Sequence, residues 1–367
     1  MEKFCVFCGK KPENKNKEHI IPQWLIKKTG DANRKGYWGI DYQDILNPDI
    51  KHPKRREYPF MKFTFPACEE CNSKFGRNLE GDVEQIVTRI LNEEPLSEAD
   101  LTLLLDWFDK VRVGMWLACN TYNSKMFVKP KFYIDSRIRK SDRVLCVYKT
   151  SDNLKGINFF GPGTLLYTYC PSFFGMSINN YFFINLSIDN LLLTDLGLLN
   201  ISIEEMDLDV NYRWSVSLGS ECVSGDIVKK LNVPETDVMI FQPIYNKFLN
   251  ADSELRDAIL NSDYIRENSI DVDSGLGKVF VMDQGEIKTL NSGECTLKPR
   301  AEYPKAAALR KIISMRISKM MINSVTETCD YLECVEGSEN MIHNFRGAIE
   351  LEKMILRKHR NFFDKNM

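Results

Sequence analysis

Two C-x-x-C pairs, Cys5/Cys8 and Cys68/Cys71, constrain this chain more than any other feature. Each pair can present two thiolates to one ion from a tight turn. Two pairs complete the tetrahedral four-sulfur shell that zinc prefers. If they share an ion, everything from Gly9 to Ala67 becomes an insert between two halves of one site. That gap is longer than in a compact zinc ribbon, so the insert must carry structure of its own. The competing reading is two coincidental pairs or a redox dithiol. A redox pair opens a helix behind a strand, however, and the sequence around Cys5 lacks that shape.

The 11 cysteines are an odd number in a chain that reads as reduced, so no disulfide framework is expected. Cys119, Cys146, Cys170, Cys222, Cys295, Cys329 and Cys334 are expected to be small buried hydrophobes. The opening MEKFCVFCGKK has no apolar signal segment, which predicts a cytoplasmic protein. The longest apolar-rich stretch, Tyr181 to Leu199, is interrupted by Asn185, Asp189, Asn190 and Asp195, so no membrane span is expected. The formal net charge of -2 conceals a split. Residues 1–80 hold 16 Lys+Arg against 11 Asp+Glu, a net of +5, and residues 81–367 hold 33 against 40, a net of -7. Such asymmetry fits a nucleic-acid-facing module joined to a more acidic remainder.

Between the cysteine pairs lies Lys17-Glu18-His19-Ile20-Ile21-Pro22, with a carboxylate and an imidazole side by side. The second pair runs straight into Asn72, as C-E-E-C-N-S-K-F-G. The order C-x-x-C, E-H-I-I-P, C-x-x-C-N resembles the HNH endonucleases, whose catalytic unit is a ββα-metal fold with, here, a four-cysteine zinc site. CVFCG, EHIIPQWL and CNSKFGRNLE are similar, more narrowly, to bacterial proteins that carry this module at the N-terminus. The resemblance covers roughly residues 1–92.

It implies a metal-dependent endonuclease that hydrolyses phosphodiester bonds in nucleic acid, with double-stranded DNA as the expected partner. Such hydrolysis needs a deprotonated water and a cation to absorb charge developing on the phosphate. Carried over, Glu18 and Asn72 become ligands of a catalytic ion and His19 the general base. Cys5, Cys8, Cys68 and Cys71 hold a structural Zn2+. Oxygen ligands at the second site suit Mg2+ or Mn2+. Adjacent strand residues point to opposite sides, so Glu18 and His19 can serve different partners if the backbone bends there. The resemblance also suggests an anti-phage defence effector, by analogy alone.

The sequence departs from the family in two places. The stretch Phe60 to Pro66 lacks the asparagine that usually precedes the second cysteine pair, so its role is vacant or filled from elsewhere, with Asn47 as one candidate. The position after that pair, often histidine, is Asn72. His52, in the basic run from Lys51 to Arg56, is the reserve base, whereas His343 and His359 read as surface residues. Lys51, Lys54, Arg55 and Arg56 form a basic cluster expected on an exposed loop. Lys74 and Arg77 lie three apart on the following helix. These six are the candidate phosphate contacts, against the alternative of a solvated charged surface.

The predicted fold class is α+β: the N-terminal module over 1–92, a helical connector, and a mainly antiparallel β region with flanking helices in a regulatory or substrate-selecting domain over 93–367. Helical spacing predicts a helix over 77–92, then a second one capped by Ser97 whose apolar stripe is Leu104, Trp107, Phe108, Val111, Met115 and Trp116. Strands are expected in MFVKPKFYI, RVLCVYKT, GTLLYTYC, YFFINLSI, RWSVSL and DVMIFQPI. A helix follows from Tyr303 to Val325, with Met315, Met320 and Met321 on a core or partner face, and the last is GAIELEKMILRKHRNFF. An activating ligand or partner protein on the second domain, and a homo-oligomer, stay open. The alternative function is a non-catalytic zinc-stabilised adaptor that binds nucleic acid or protein.

Overall fold

The structure is a computed structural model that describes residues 4–12, 16–40, 49, 55–122, 132–188, 199–207, 211–218, 236, 238–245, 257, 263–283, 286–290, 293–300 and 302–364. The N-terminal elements are β1 (Asn16–His19), α1 (Gln23–Lys28), β2 (Lys35–Ile40), β3 (Arg55–Pro59), a 3-10 turn (Phe60–Lys62) and β4 (Thr64–Ala67). β2 and β3 pair antiparallel, and so do β1 and β4, with Glu18 opposite Phe65 and His19 opposite Thr64. Phe65 and Ala67 alternate inward along β4, the period-two pattern of a half-buried strand.

From Glu69 the chain is helical: one α-turn (Glu69–Cys71), a π-helical stretch (Asn72–Leu79), then α2 (Glu80–Leu91). The predicted helix over 77–92 is therefore present and begins earlier, directly on the second cysteine pair. Leu79, Val83, Ile86, Val87 and Ile90 form its buried face. Two antiparallel strands followed by a helix thus frame the cysteine pairs.

After β5 (Leu96–Ser97) comes α3 (Glu98–Tyr122). Its first turn is held by a reciprocal cap. Asp100 N–H donates to Ser97 Oγ at 3.3 Å, and Ser97 N–H donates to Asp100 Oδ2 at 2.8 Å. The expected apolar stripe of α3 is buried, but so are Thr102, Asp106, Asp109, Lys110 and Arg112. From Leu104 to Ala118 the helix is enclosed on all sides because it lies between two layers. Trp107 meets Trp24 with ring centroids 6.4 Å apart, and Phe108 meets Phe183 of the large sheet at 5.2 Å. At Gly114 a Cβ would lie 2.5 Å from Ile20 Cδ1, so a larger residue there would have to displace the Ile20 side chain.

The remaining elements are β6 (Asp142–Thr150), β7 (Ile157–Phe160), α4 (Leu166–Tyr169), β8 (Phe173–Ile178), β9 (Tyr181–Ile188), β10 (Leu199–Asp207), β11 (Asn211–Leu218), β12 (Val238–Gln242), α5 (Asp263–Asn268), β13 (Ser269–Asp271), β14 (Leu276–Gly277), β15 (Phe280–Asp283), β16 (Glu286–Thr289), β17 (Glu294–Cys295), β18 (Glu302–Tyr303), α6 (Ala306–Leu332) and α7 (Glu339–Asp364). Antiparallel pairing in the order β16-β15-β12-β6-β9-β8-β7 makes the main sheet, and β18 adds to β6 in parallel. Chains of this kind, with helices and antiparallel sheets, are α+β. The hairpin β10–β11 pairs separately. Apolar residues from Cys5 to Ile349 form one contiguous core that includes the N-terminal elements, α3 and the sheet.

Three expectations are corrected. Of MFVKPKFYI, read as a strand, residues 126–131 lie outside the described residues and Ile134 opens a 3-10 turn instead. GTLLYTYC, read as a strand, contains α4. Thr164 Oγ1 accepts the Tyr167 N–H at 3.2 Å behind a turn at Gly161 (φ +102°), a local side-chain bond that favours the turn over an extended strand. Cys334 is exposed and Cys295 half-buried, whereas Cys146, Cys170 and Cys329 are buried; the side chains of Cys119 and Cys222 lie outside the described residues. Met320 and Met321 are buried in the core, and α6 packs on β8, where a Gly175 Cβ would lie 2.8 Å from Ile317 Cδ1. Among the described residues no helix is long and apolar enough to cross a membrane.

Candidate functional site

The four cysteines converge. Their sulfur atoms all lie within 4.8 Å of one another, and Cys8 Sγ is 3.7 Å from Cys68 Sγ. A tetrahedron with metal–sulfur bonds of about 2.3 Å has edges of about 3.8 Å. The spacing therefore fits one ion, and the cluster could bind a metal such as zinc. The first pair sits on a turn closed by Gly9 N–H to Cys5 O at 2.9 Å and Cys5 N–H to Lys10 O at 2.8 Å. Gly9 has φ +73°, and a Cβ there would also meet the Tyr133 ring at 2.3 Å. The second pair spans the start of the helix, and Cys68 N–H donates to Cys5 Sγ at 3.2 Å.

The thiols do not ionise independently. Burial, with the Cys8 and Cys5 thiols beside it, pushes Cys68 up to about 12. Burial and the Cys5 thiol likewise push Cys71 up. Burial opposes ionisation at Cys8 too, but the Lys10 backbone and its three sulfur neighbours outweigh it and bring Cys8 below its ordinary value. A thiolate among these sulfurs disfavours ionisation of Cys68 and Cys71. Four can coexist only around a cation.

Next to this cluster the chain assembles a second, different group. Asn72 follows Cys71 on the helix, and Glu18 comes from β1. Glu18 Oε2 and Asn72 Oδ1 lie 3.1 and 2.8 Å from the point where a Gly76 Cβ would sit. Gly76 thus leaves open a space that two oxygen acceptors face. Asn72 Oδ1 is buried and has no hydrogen-bond partner. An orphaned buried acceptor beside a carboxylate oxygen is costly unless a cation or donor occupies the space between them. One carboxylate and one amide oxygen are hard donors that fit Mg2+ or Mn2+.

His19, half-buried, sits one residue beyond Glu18, and its Nε2 is 3.3 Å from the Met61 carbonyl oxygen. A carbonyl only accepts, so this contact places the proton on Nε2 and the lone pair on Nδ1. Asn47, the candidate for the role of the missing asparagine, lies outside the described residues; the Met61 carbonyl orients the ring.

Sequence reasoning did not single out Lys110 and Glu80. Lys110 on α3 has no exposed surface; its Nζ donates to Glu18 Oε1 at 2.7 Å and pairs with Glu80. Burial, and after it the nearby Glu18, pushes Glu80 up to about 7 against the pull of Lys110. Burial disfavours the Lys110 ammonium, but the carboxylates of Glu80 and Glu18 outweigh it and hold its pKa above the ordinary value. The available signal was a lysine inside LLLDWFDKVRVGMW, a helix with no continuous polar face.

Of the proposed phosphate contacts, Lys74 is exposed, 3.6 Å from Asp135, and packs over Phe75 with its Nζ 4.9 Å from the ring centroid. Lys51 and Lys54 lie outside the described residues, as does His52. Arg55 and Arg56 are the first residues of β3 rather than loop residues. The side chains of these two and of Arg77 lie outside the described residues, as does that of His359, while His343 is exposed. Comparison with family models, curated proteins and solved structures finds no match to this chain.

Proposed function

We propose that the N-terminal region is an HNH-type nuclease module in which Cys5, Cys8, Cys68 and Cys71 hold a structural zinc ion. In this reading Glu18 and Asn72 hold a catalytic Mg2+ or Mn2+, and His19 is the general base. The observation that carries it is the buried, unpartnered Asn72 Oδ1 facing Glu18 Oε2 across the space above Gly76. A purely structural module has no need of such a pair.

When bound, the divalent ion supplies positive charge to a phosphate oxygen. His19 Nδ1 takes a proton from the attacking water, whose oxygen forms a bond to phosphorus as the bond to the leaving oxygen breaks. The leaving alkoxide takes its proton from solvent. The Met61 carbonyl holds the imidazole in the tautomer this requires. Lys74, exposed beside the second cysteine pair, and the basic run at 51–56 supply phosphate contacts that are independent of base sequence.

The test is cleavage of plasmid DNA, and of single-stranded DNA and RNA, by the full chain with Mg2+ or Mn2+. Wild-type protein is expected to cut and His19→Ala to lose the activity. Cutting by His19→Ala at the wild-type rate overturns the assignment. The second reading, a zinc-stabilised adaptor without catalysis, draws on one observation: Lys110 already pairs Glu18. It predicts zinc as the only bound metal and no Mn2+ binding.

A further inference from the structure

Glu80 and Lys110 take no part in the reaction just outlined, yet both pack into the enclosed region beside it. Lys110 Nζ lies between the Glu18 and Glu80 carboxylates and 5.8 Å from the centroid of Phe7, whose ring stacks on Phe75 at 4.9 Å. It arrives on α3, beyond residue 92, so the resemblance that identified the other site residues does not extend to it.

Two features give the cluster a consequence. Lys110 occupies Glu18 Oε1, and Oε2 is the oxygen that shares the space with Asn72 Oδ1. With Glu80 ionised, the three charges sum to one negative unit, which is what an incoming cation meets. We propose that Lys110 and Glu80 are positioning residues that set how tightly Glu18 holds a divalent cation. Lys110 restricts Glu18 to one free oxygen, and the pair fixes the charge of the site. The inference rests on the reading of Glu18 and Asn72 as metal ligands.

The signature is opposite movement on removing opposite charges. Glu80→Gln leaves Glu18 fully neutralised, and Lys110→Met leaves two carboxylates without a counter-charge. The double variant restores one negative unit. It also replaces a buried ion pair with neutral groups, a change that proteins tolerate better than loss of one partner.

The experiment is a Mn2+ titration of zinc-loaded full-length protein, followed by electron paramagnetic resonance at one mildly alkaline pH. Glu80→Gln is expected to weaken Mn2+ binding on the order of tenfold and Lys110→Met to tighten it by a similar factor. That is the lower limit for one unit charge a few ångström from a divalent ion, set by a water-like dielectric; burial of the cluster enlarges it. The double variant should return to within about threefold of wild type if the two charges act as one sum. Single variants that move the affinity in the same direction, or leave it unmoved, overturn the proposal. So does a double variant that departs from wild type by tenfold. Glu18→Gln separates the two levels. If it binds Mn2+ as wild type does, the metal-site reading itself fails. If it loses Mn2+ while the charge variants have no effect, only this inference fails.

Discussion

The cysteine cluster and the Glu18–Asn72 pair share one helix start, yet they are built on opposite principles. The first is closed: four like ligands, each drawn in by a turn or a helix end, with a backbone donor on Cys5 Sγ. The second is left incomplete, with an acceptor that nothing satisfies and a gap kept open by Gly76. A closed soft shell holds an ion to stabilise a fold. An open hard one leaves coordination positions for water and substrate.

Four predictions bear on that contrast. The largest effect is expected from Cys71→Ser. Structural zinc in small domains is worth about 10–16 kcal/mol, so zinc content should fall and amide protection over residues 4–91 should collapse. Retention of both would mean that the cluster does not hold the fold. His19→Ala should lower the cleavage rate by about 10²–10⁴-fold while zinc and Mn2+ contents stay unchanged. A parallel loss of metal would mean that the residue is structural.

Gly76→Ala places a methyl group in the gap. We expect Mn2+ affinity to fall by on the order of tenfold, with melting temperature unchanged or slightly raised, since alanine suits a helix better. A drop in melting temperature with intact Mn2+ binding would show that the gap serves packing instead. The smallest effect concerns Asp100, remote from both clusters. Burial opposes its ionisation, but Arg89 and Ser97 outweigh that and hold its carboxyl below the ordinary value. A depressed carboxyl stabilises the fold above its unfolded pKa and stops doing so as pH falls through its folded one. Asp100→Asn should therefore cost up to about 1 kcal/mol near neutrality, the scale of a partly exposed ion pair. The deficit should shrink as the medium is acidified below the ordinary aspartate range. Denaturant melts across pH, with zinc and Mn2+ binding constant, check both.

Both clusters were legible in the sequence to different depths. Paired cysteine spacing predicts a shared ion without knowledge of the fold, because each pair is a local unit and only its partner is remote. Glu18, His19 and Asn72 were found through their order between and after those pairs. Lys110 and Glu80 were not, for a physical reason. Helical periodicity assigns Leu104, Trp107 and Val111 to the core and by default sends the intervening charges to solvent. Here α3 is covered on both sides, so its charges find partners instead. Arg143 reaches Asp106 and Gln242, and Arg112 reaches Asp109 and Asn185 at 2.9 and 2.8 Å. Gly76 was equally silent, since a glycine's value as empty space appears only when its neighbours are known.

The backbone contacts of the first cysteine turn also fix an order in time. Ile134 N–H bonds to Val6 O and Asp135 N–H to Phe7 O, and Tyr133 covers Gly9. During synthesis, residues 4–12 therefore emerge long before their partners. At about 5–20 residues per second, the ribosome needs several seconds to reach residue 135. A nascent chain that has passed Cys71 can gather four thiols but still lacks Lys110 against Glu18 and the segment that locks the first turn. The contacts that surround the Glu18 site are therefore complete only after translation has moved well past it.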